Sequence, residues 1–144
     1  GDVRLAPLSI SGQPDKSTAT WPGTNQTIRI QHLSRELVHD IGPRPDRIVV
    51  DGERVCGALT IRSWQPGDRF YPWGMKGRSK KVQDFFTDVK VPASVRRRTP
   101  IVVAPEGIVW IVGYRQDERW GVTPRTRQCL VLTASRDSTA EGAL

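Results

Sequence analysis

The sequence predicts an α+β domain, and three observations lead there. Apolar runs of strand length, punctuated by Pro and Gly, recur in both halves of the chain. Between them lies one helical stripe: Val82, Phe85, Phe86 and Val89 fall at i, i+3, i+4 and i+7. The 144 residues amount to one domain, long enough to bury a core without disulfide staples.

The elements follow in order. From Gly1 to about Gly23 the chain is rich in Pro, Gly, Ser and Thr, with a weak strand at Val3–Leu8. TIRIQHL (Thr27–Leu33) alternates apolar and polar side chains as a half-buried strand does. GPRPD (Gly42–Asp46) is a turn, and RIVVD (Arg47–Asp51) a short buried strand. ALTIRSW (Ala58–Trp64) is another strand, stopped by Pro66-Gly67. Tyr71-Pro72, Gly74 and Gly77 then break regular structure until Ser79, which is placed to cap the Val82–Val89 helix. Pro92 ends that helix and can serve as the first residue of the next, with Ala93–Thr99 as a short basic turn that Pro100 stops. Ile101–Gly113 holds two apolar runs around Pro105-Glu106-Gly107, the pattern of a hairpin. Gln128–Thr133 is the last strand, and residues 134–144 read as a flexible tail.

The net charge is +7, and its placement matters more than its size. Arg62–Arg98 holds ten basic and three acidic side chains, so it carries the whole excess; the remainder has twelve of each sign. A basic segment on a neutral body points to a polyanion, nucleic acid first, against the alternative of a solvated basic face. No apolar run approaches the roughly 20 residues that span a bilayer, and the opening residues lack the pattern of a signal peptide. The chain does not open on Met, as expected of a segment of a longer protein or a processed one. Cys56 and Cys129 stand far apart without a CxxC motif and read as buried thiols of a reducing, cytoplasmic compartment. His32 and His39 have no companions at ligand spacing, so no metal site is expected.

The chemistry concentrates in GDRFYPWGMKGRSKKVQDFFTDVKVP (Gly67–Pro92). Gly74 and Gly77 allow successive N–H groups to converge on an anion, and Ser79 would add the amides of a helix N-terminus. Lys76, Arg78, Lys80 and Lys81 supply formal charge at the same place. The combination suits phosphate. The nucleotide-binding pattern GxxxxGK[ST] is absent, so a phosphodiester backbone is the more natural ligand. Phe85 and Phe86 read as core. Trp64, Tyr71 and Trp73 lie beside the charges, where they either stack on a base or ribose or, the commoner role, pack the loop onto the body. Arg96, Arg97 and Arg98 cannot all face one way on a helix, so one or two meet phosphate and the rest are solvated. Asp68, Asp84 and Asp88 read as partners that orient Arg and Lys. No nucleophile motif and no marked carboxylate pair is present, so no catalytic residue is assigned.

In order along the chain stand Leu59–Arg62, Pro66–Phe70 (PGDRF), Pro72–Gly77 (PWGMKG), Lys80-Lys81, Asp84–Pro92 (DFFTDVKVP), Arg96 and Trp110–Arg115. This succession resembles the C-terminal domain of bacterial tRNA(Ile)-lysidine synthetases, in which a similar run occurs; Trp73 stands where the family usually has Leu, and Arg78 is an added charge. RIVVDGERV ahead of it fits the strand that precedes the motif. The resemblance implies a single domain over 1–144, with variable N-terminal strands over 1–56 and a motif-bearing tRNA-binding half over 57–133. It implies a layered β-sandwich with helices, similar to the editing region of the phenylalanyl-tRNA synthetase β subunit. It implies tRNA gripped at the acceptor stem by Arg69, Lys76, Arg78, Lys80, Lys81, Lys90, Arg96, Arg97, Arg98 and Arg115, with Gly74, Gly77 and Ser79 as the phosphate loop. Catalysis in that family, with ATP and magnesium, belongs to an N-terminal domain whose SGGxDS loop has no counterpart here; this domain itself needs no cofactor. A homo-oligomer is left open. The rival readings are a stand-alone RNA- or protein-binding module and an editing-type deacylase.

Overall fold

Side chains that alternate along each strand supply two faces, and here each main sheet buries one face in a shared core and at least part of the other under further apolar side chains. The computed structural model describes residues 3–4, 16–55 and 59–136. Its strands are β1 (Val3–Arg4), β2 (Lys16–Trp21), β3 (Gln26–Ser34), β4 (Arg47–Asp51), β5 (Thr60–Arg62), β6 (Arg69–Phe70), β7 (Lys80–Lys81), β8 (Ile101–Ala104), β9 (Gly107–Ile111), β10 (Arg115–Gln116) and β11 (Gln128–Arg136). Two short helices, α1 (Val82–Asp88) and α2 (Ala93–Arg96), follow β7. The sheets run β1-β5-β8-β9-β10, β2-β3-β11-β4 and β6-β7, with antiparallel pairing throughout the described strands.

The main core lies between the two larger sheets. Ile28, Ile30, Ile48, Val50, Leu130 and Leu132 from one meet Ile61, Val102, Ala104, Val109 and Trp110 from the other. The register shifts between Val102 and Val103, so Trp110 and Ile108 find partners while Val109 is the extra residue of a bulge. Val109 and Trp110 therefore both enter this core, where strict alternation would send one of them out. On the outer face of the five-stranded sheet, Ile101, Ile108 and Ile111 pack under Phe70, Val82, Phe85, Phe86 and Val91. On the outer face of the other, Val49, Cys129 and Val131 pack with Val38. Burial pushes the Cys129 thiol above its ordinary range.

Several expectations need correction. Lys16–Trp21, read as an irregular polar stretch, is a strand paired to β3, its Trp21 indole donating to Arg98 O at 2.6 Å. The expected strand at Val3–Leu8 is seen only as Val3–Arg4, its remainder lying outside the described residues. Ala58 and Cys56 also lie outside them, and only Thr60–Arg62 of the ALTIRSW run is strand. β11 continues through Arg136, because Ala134–Arg136 pair with β3, so the tail cannot begin at Ala134.

The helix boundaries differ as well. Ser79 caps nothing: Lys80 and Lys81 pair with Phe70 and Arg69, and the chain turns helical only at Val82, with Lys81 at the cap position. Val89 is 39% exposed and Val91 takes its place in the core. The cause is local. Lys90 adopts φ 61°, and the amides of Lys90 and Val91 donate back to Thr87 O and Phe86 O. This is the Schellman arrangement, with Lys where Gly is usual, and it folds Val91 down beside Phe86. Pro92 is extended and caps α2 rather than opening it, and α2 ends at Arg96 instead of Thr99.

Candidate nucleic-acid interface

The β6–β7 hairpin carries the loop that the composition singled out. Two consecutive turns build it. Met75 N donates to Pro72 O at 3.1 Å, with Gly74 at φ 93°, the type II pattern. Arg78 N then donates to Met75 O at 3.2 Å, with Lys76 at φ 54° and Gly77 at 84°, the type I′ pattern. Glycine serves both turns at no steric cost, whereas Lys76 holds its left-handed backbone as an ordinary residue. Among the described residues, the amides of Gly74, Lys76 and Gly77 meet no acceptor. Gly74, Lys76, Gly77 and Arg78 are exposed.

The body pins the loop's base. Trp73 N donates to Gln116 O at 2.9 Å and Glu118 N to Tyr71 O at 2.8 Å. Asp117, fully buried, is the hub. Its carboxylate accepts from the amides of Tyr71 and Arg119, each at 2.8 Å, and from Arg119 Nη2 at 2.9 Å. It thereby caps the 3₁₀ turn Glu118–Trp120 and holds the Arg119 guanidinium 4.4 Å from the Tyr71 ring centre. A Cβ on Gly107 would come within 2.9 Å of Arg119 Nη2, so the hairpin glycine also makes room for this arginine. At the foot of β6, Arg62 grips Asp68 in a bidentate pair, at 2.8 and 3.0 Å.

The expected cations fall into two groups. Lys76, Arg78 and Lys81 are exposed and, among the described residues, have no ion pair or side-chain hydrogen bond. Arg69 shares their hairpin and donates to Ser79 Oγ at 3.0 Å; Arg115 stands over the Phe85 ring and donates to Trp73 O at 3.3 Å. In the second group three side chains have partners within the chain. Lys80 pairs with Asp88. Arg96 donates to Val91 O at 2.8 Å and lies over Phe86, and Arg98 donates to Ser94 O at 3.3 Å. Lys90 and Arg97 are exposed beside them, Arg97 without an acceptor among the described residues. Asp68 and Asp88 thus act as orienting partners, while among the described residues no ion pair joins Asp84. Trp64 packs against the helix core and Trp73 against Gly121, the packing role for both.

Two features escaped the sequence reading. Arg54 and Arg119, assigned to the neutral remainder of the chain, sit beside Gly74 and Lys76 along a concavity of about 430 Å³. Asp117 carries no sign of its role beyond its place in the mixed-charge run RQDER (Arg115–Arg119). Among the described residues, no group of three or more His, Cys, Asp or Glu could hold a metal ion, and no helix is long and apolar enough to cross a membrane.

Residues 59–132 match the family described as the TilS substrate C-terminal domain. The chain belongs to this family. It is similar to the tRNA(Ile)-lysidine synthase of Caldanaerobacter subterraneus subsp. tengcongensis, 38% identical over 87 residues that make up 60% of this chain and 18% of that protein. The corresponding enzyme of Symbiobacterium thermophilum is 38% identical over 97 residues, 67% of this chain and 20% of that protein. The chain therefore spans about a fifth of the length of these relatives. A solved structure described as the TilS C-terminal domain superposes with a TM-score of 0.70 at 24% identity, covering 95% of this chain and 98% of the other. The sheet-dominated fold with two short helices is the fold of that domain.

Proposed function

We propose that this domain grips the acceptor stem of an isoleucine tRNA for a lysidine synthetase. The observation that carries the reading is the β6–β7 loop: three amides without acceptors beneath the exposed cations Lys76 and Arg78. Convergent amides and fixed cations bind phosphate, and a duplex presents phosphates at regular spacing. An A-form stem hides its bases in a deep groove, so contacts go to backbone and 2′-hydroxyls. Arg69, Lys76, Arg78 and Lys81 make them first, with the backbone of Gly74, Gly77 and Ser79. Lys80, Lys90, Arg96, Arg98 and Arg115, several of them held by internal partners, contribute less, and Arg97 is the member of its triplet free to reach out. The ligation itself, with ATP and magnesium, belongs to a separate N-terminal catalytic domain in the cytoplasm, so this domain selects substrate and takes no cofactor. Likeness to the phenylalanyl-tRNA synthetase editing region belongs to the same reading.

Binding of the chain to isoleucine tRNA, titrated against salt, tests it. With about four phosphates neutralised, log affinity should fall against log salt with a slope near −3 to −4. Footprinting should protect the acceptor stem. Protection confined to the anticodon arm, or binding indifferent to salt, would overturn the reading.

A further inference from the structure

Beside the phosphate loop lies the 430 Å³ concavity, of a size suited to a small ligand. Its lining does not suit duplex phosphate alone. Trp73 forms an aromatic wall, backed by Gly121, where a Cβ would come within 2.8 Å of the indole Cζ3. Val122 adds apolar surface, and Arg54 and Lys76 add positive charge. Glu118 is the anomaly. Its side chain lines the same concavity, its Oε2 3.9 Å from where a Gly77 Cβ would be, with no ion pair or side-chain hydrogen bond among the described residues. A carboxylate repels phosphate and accepts from an amine, so the cavity offers an acceptor, an aromatic wall and cations together. A nucleotide whose base is free of its pair combines an exocyclic amine, a π-face and a phosphate.

We propose that this cavity takes one unpaired RNA nucleotide adjoining the duplex. Its base packs against Trp73, an amine on its pairing edge donates to Glu118, and its phosphate meets Lys76 and Arg54. Arg119 stays with Asp117 and shapes the wall. The pocket favours cytosine, whose N4 amine donates, over uracil, whose O4 would face the carboxylate. The inference rests on the duplex-binding reading above. It also makes Trp73 a specificity residue.

The test measures affinity of the 144-residue chain for a blunt RNA duplex and for the same duplex with one unpaired cytidine or uridine at an end. The cytidine should tighten binding at least about fivefold, the low end for one stacked base, and uridine by less. Trp73→Leu should abolish that gain while leaving blunt-duplex affinity close to the parent's, with at most a modest drop in melting temperature from the packing lost against Gly121. Glu118→Gln, whose amide can serve either base, should level cytidine and uridine; it carries the test if the Trp73 variant folds poorly. A cytidine overhang that binds no tighter than the blunt duplex, at either end, overturns the pocket and leaves the duplex reading standing. Failure of the blunt duplex itself to bind removes both.

Discussion

The β6–β7 loop and the α1–α2 segment carry similar densities of Lys and Arg, yet the fold spends them differently. In the loop, Lys76, Arg78 and Lys81 face outward with no internal partner among the described residues. Toward the helices the balance shifts: Lys80, at the end of β7, pairs with Asp88 of α1, and Arg96 and Arg98, at and just past the end of α2, donate to main-chain carbonyls. These are short helices, four and seven residues long, whose terminal carbonyls need donors. Charge density in the sequence therefore locates a basic region, and main-chain hydrogen bonding decides which of its cations remain available.

The largest way to break this comparison is Phe86→Ala. The ring, on the face of α1 turned to the sheet, is fully buried, so its loss should cost about 3–5 kcal/mol. Domains hold only about 5–15 kcal/mol in total. Loop and helices should fail together, seen as a large drop in melting temperature with loss of RNA binding. An unchanged melting temperature would mean the helical layer contributes little to stability.

Asp117→Ala should act more on the loop. It removes a cap and the charged acceptor for Arg119 and the Tyr71 amide, worth about 1.5–3 kcal/mol. The full penalty of a broken buried pair is not expected, since Arg119 is 37% exposed and can rehydrate. Denaturant unfolding would give the cost, and hydrogen exchange at Tyr71 and Trp73 should rise more than in α1.

A matched pair sharpens the contrast. Lys76 and Lys90 both hold left-handed backbone, at φ 54° and 61°. Relief of about 1–2 kcal/mol of strain is offset by about 0.5–1 kcal/mol of glycine's chain entropy. Lys76→Gly and Lys90→Gly should thus each hold or raise stability, by at most about 1.5 kcal/mol. Their effects on RNA should part: Lys76→Gly lowers the salt slope by about one, and Lys90→Gly by less. Equal losses would erase the distinction between the two regions.

The smallest effect belongs to Cys129. Its thiol is raised from an ordinary value of 9.0 by burial, so the folded chain holds that proton more tightly than the unfolded one. The contribution is fully present below pH 9.0 and declines as pH rises through the folded value. A Cys129→Ala variant should lose stability less steeply above that pH than the parent, and thiol reagents should label Cys129 only on unfolding.

Much of this was legible beforehand because it is written in short-range pattern. β3, β4, the β8–β9 hairpin and the stripe of α1 all follow from alternation or helical spacing. The glycine turns of the loop were visible for the same reason. β2 was hidden because KSTATW is polar on one side and finds its hydrogen bonds only by pairing with β3. The end of α1 was hidden because nothing local says that Lys90 will take a glycine's conformation. Arg54, Asp117 and Glu118 reach the loop through tertiary packing, which spacing does not encode.

One consequence concerns how the chain is made. β11, the last described strand, lies in the middle of its sheet, bonded to β3 on one side and β4 on the other. While a ribosome is still extending the polypeptide, β3 and β4 have no ladder between them and their apolar faces stay open. The nascent domain must wait, sheltered or chaperoned, until Arg136 clears the exit tunnel. Pairings between segments so distant along a chain also form slowly, so this sheet closes late even once synthesis permits it.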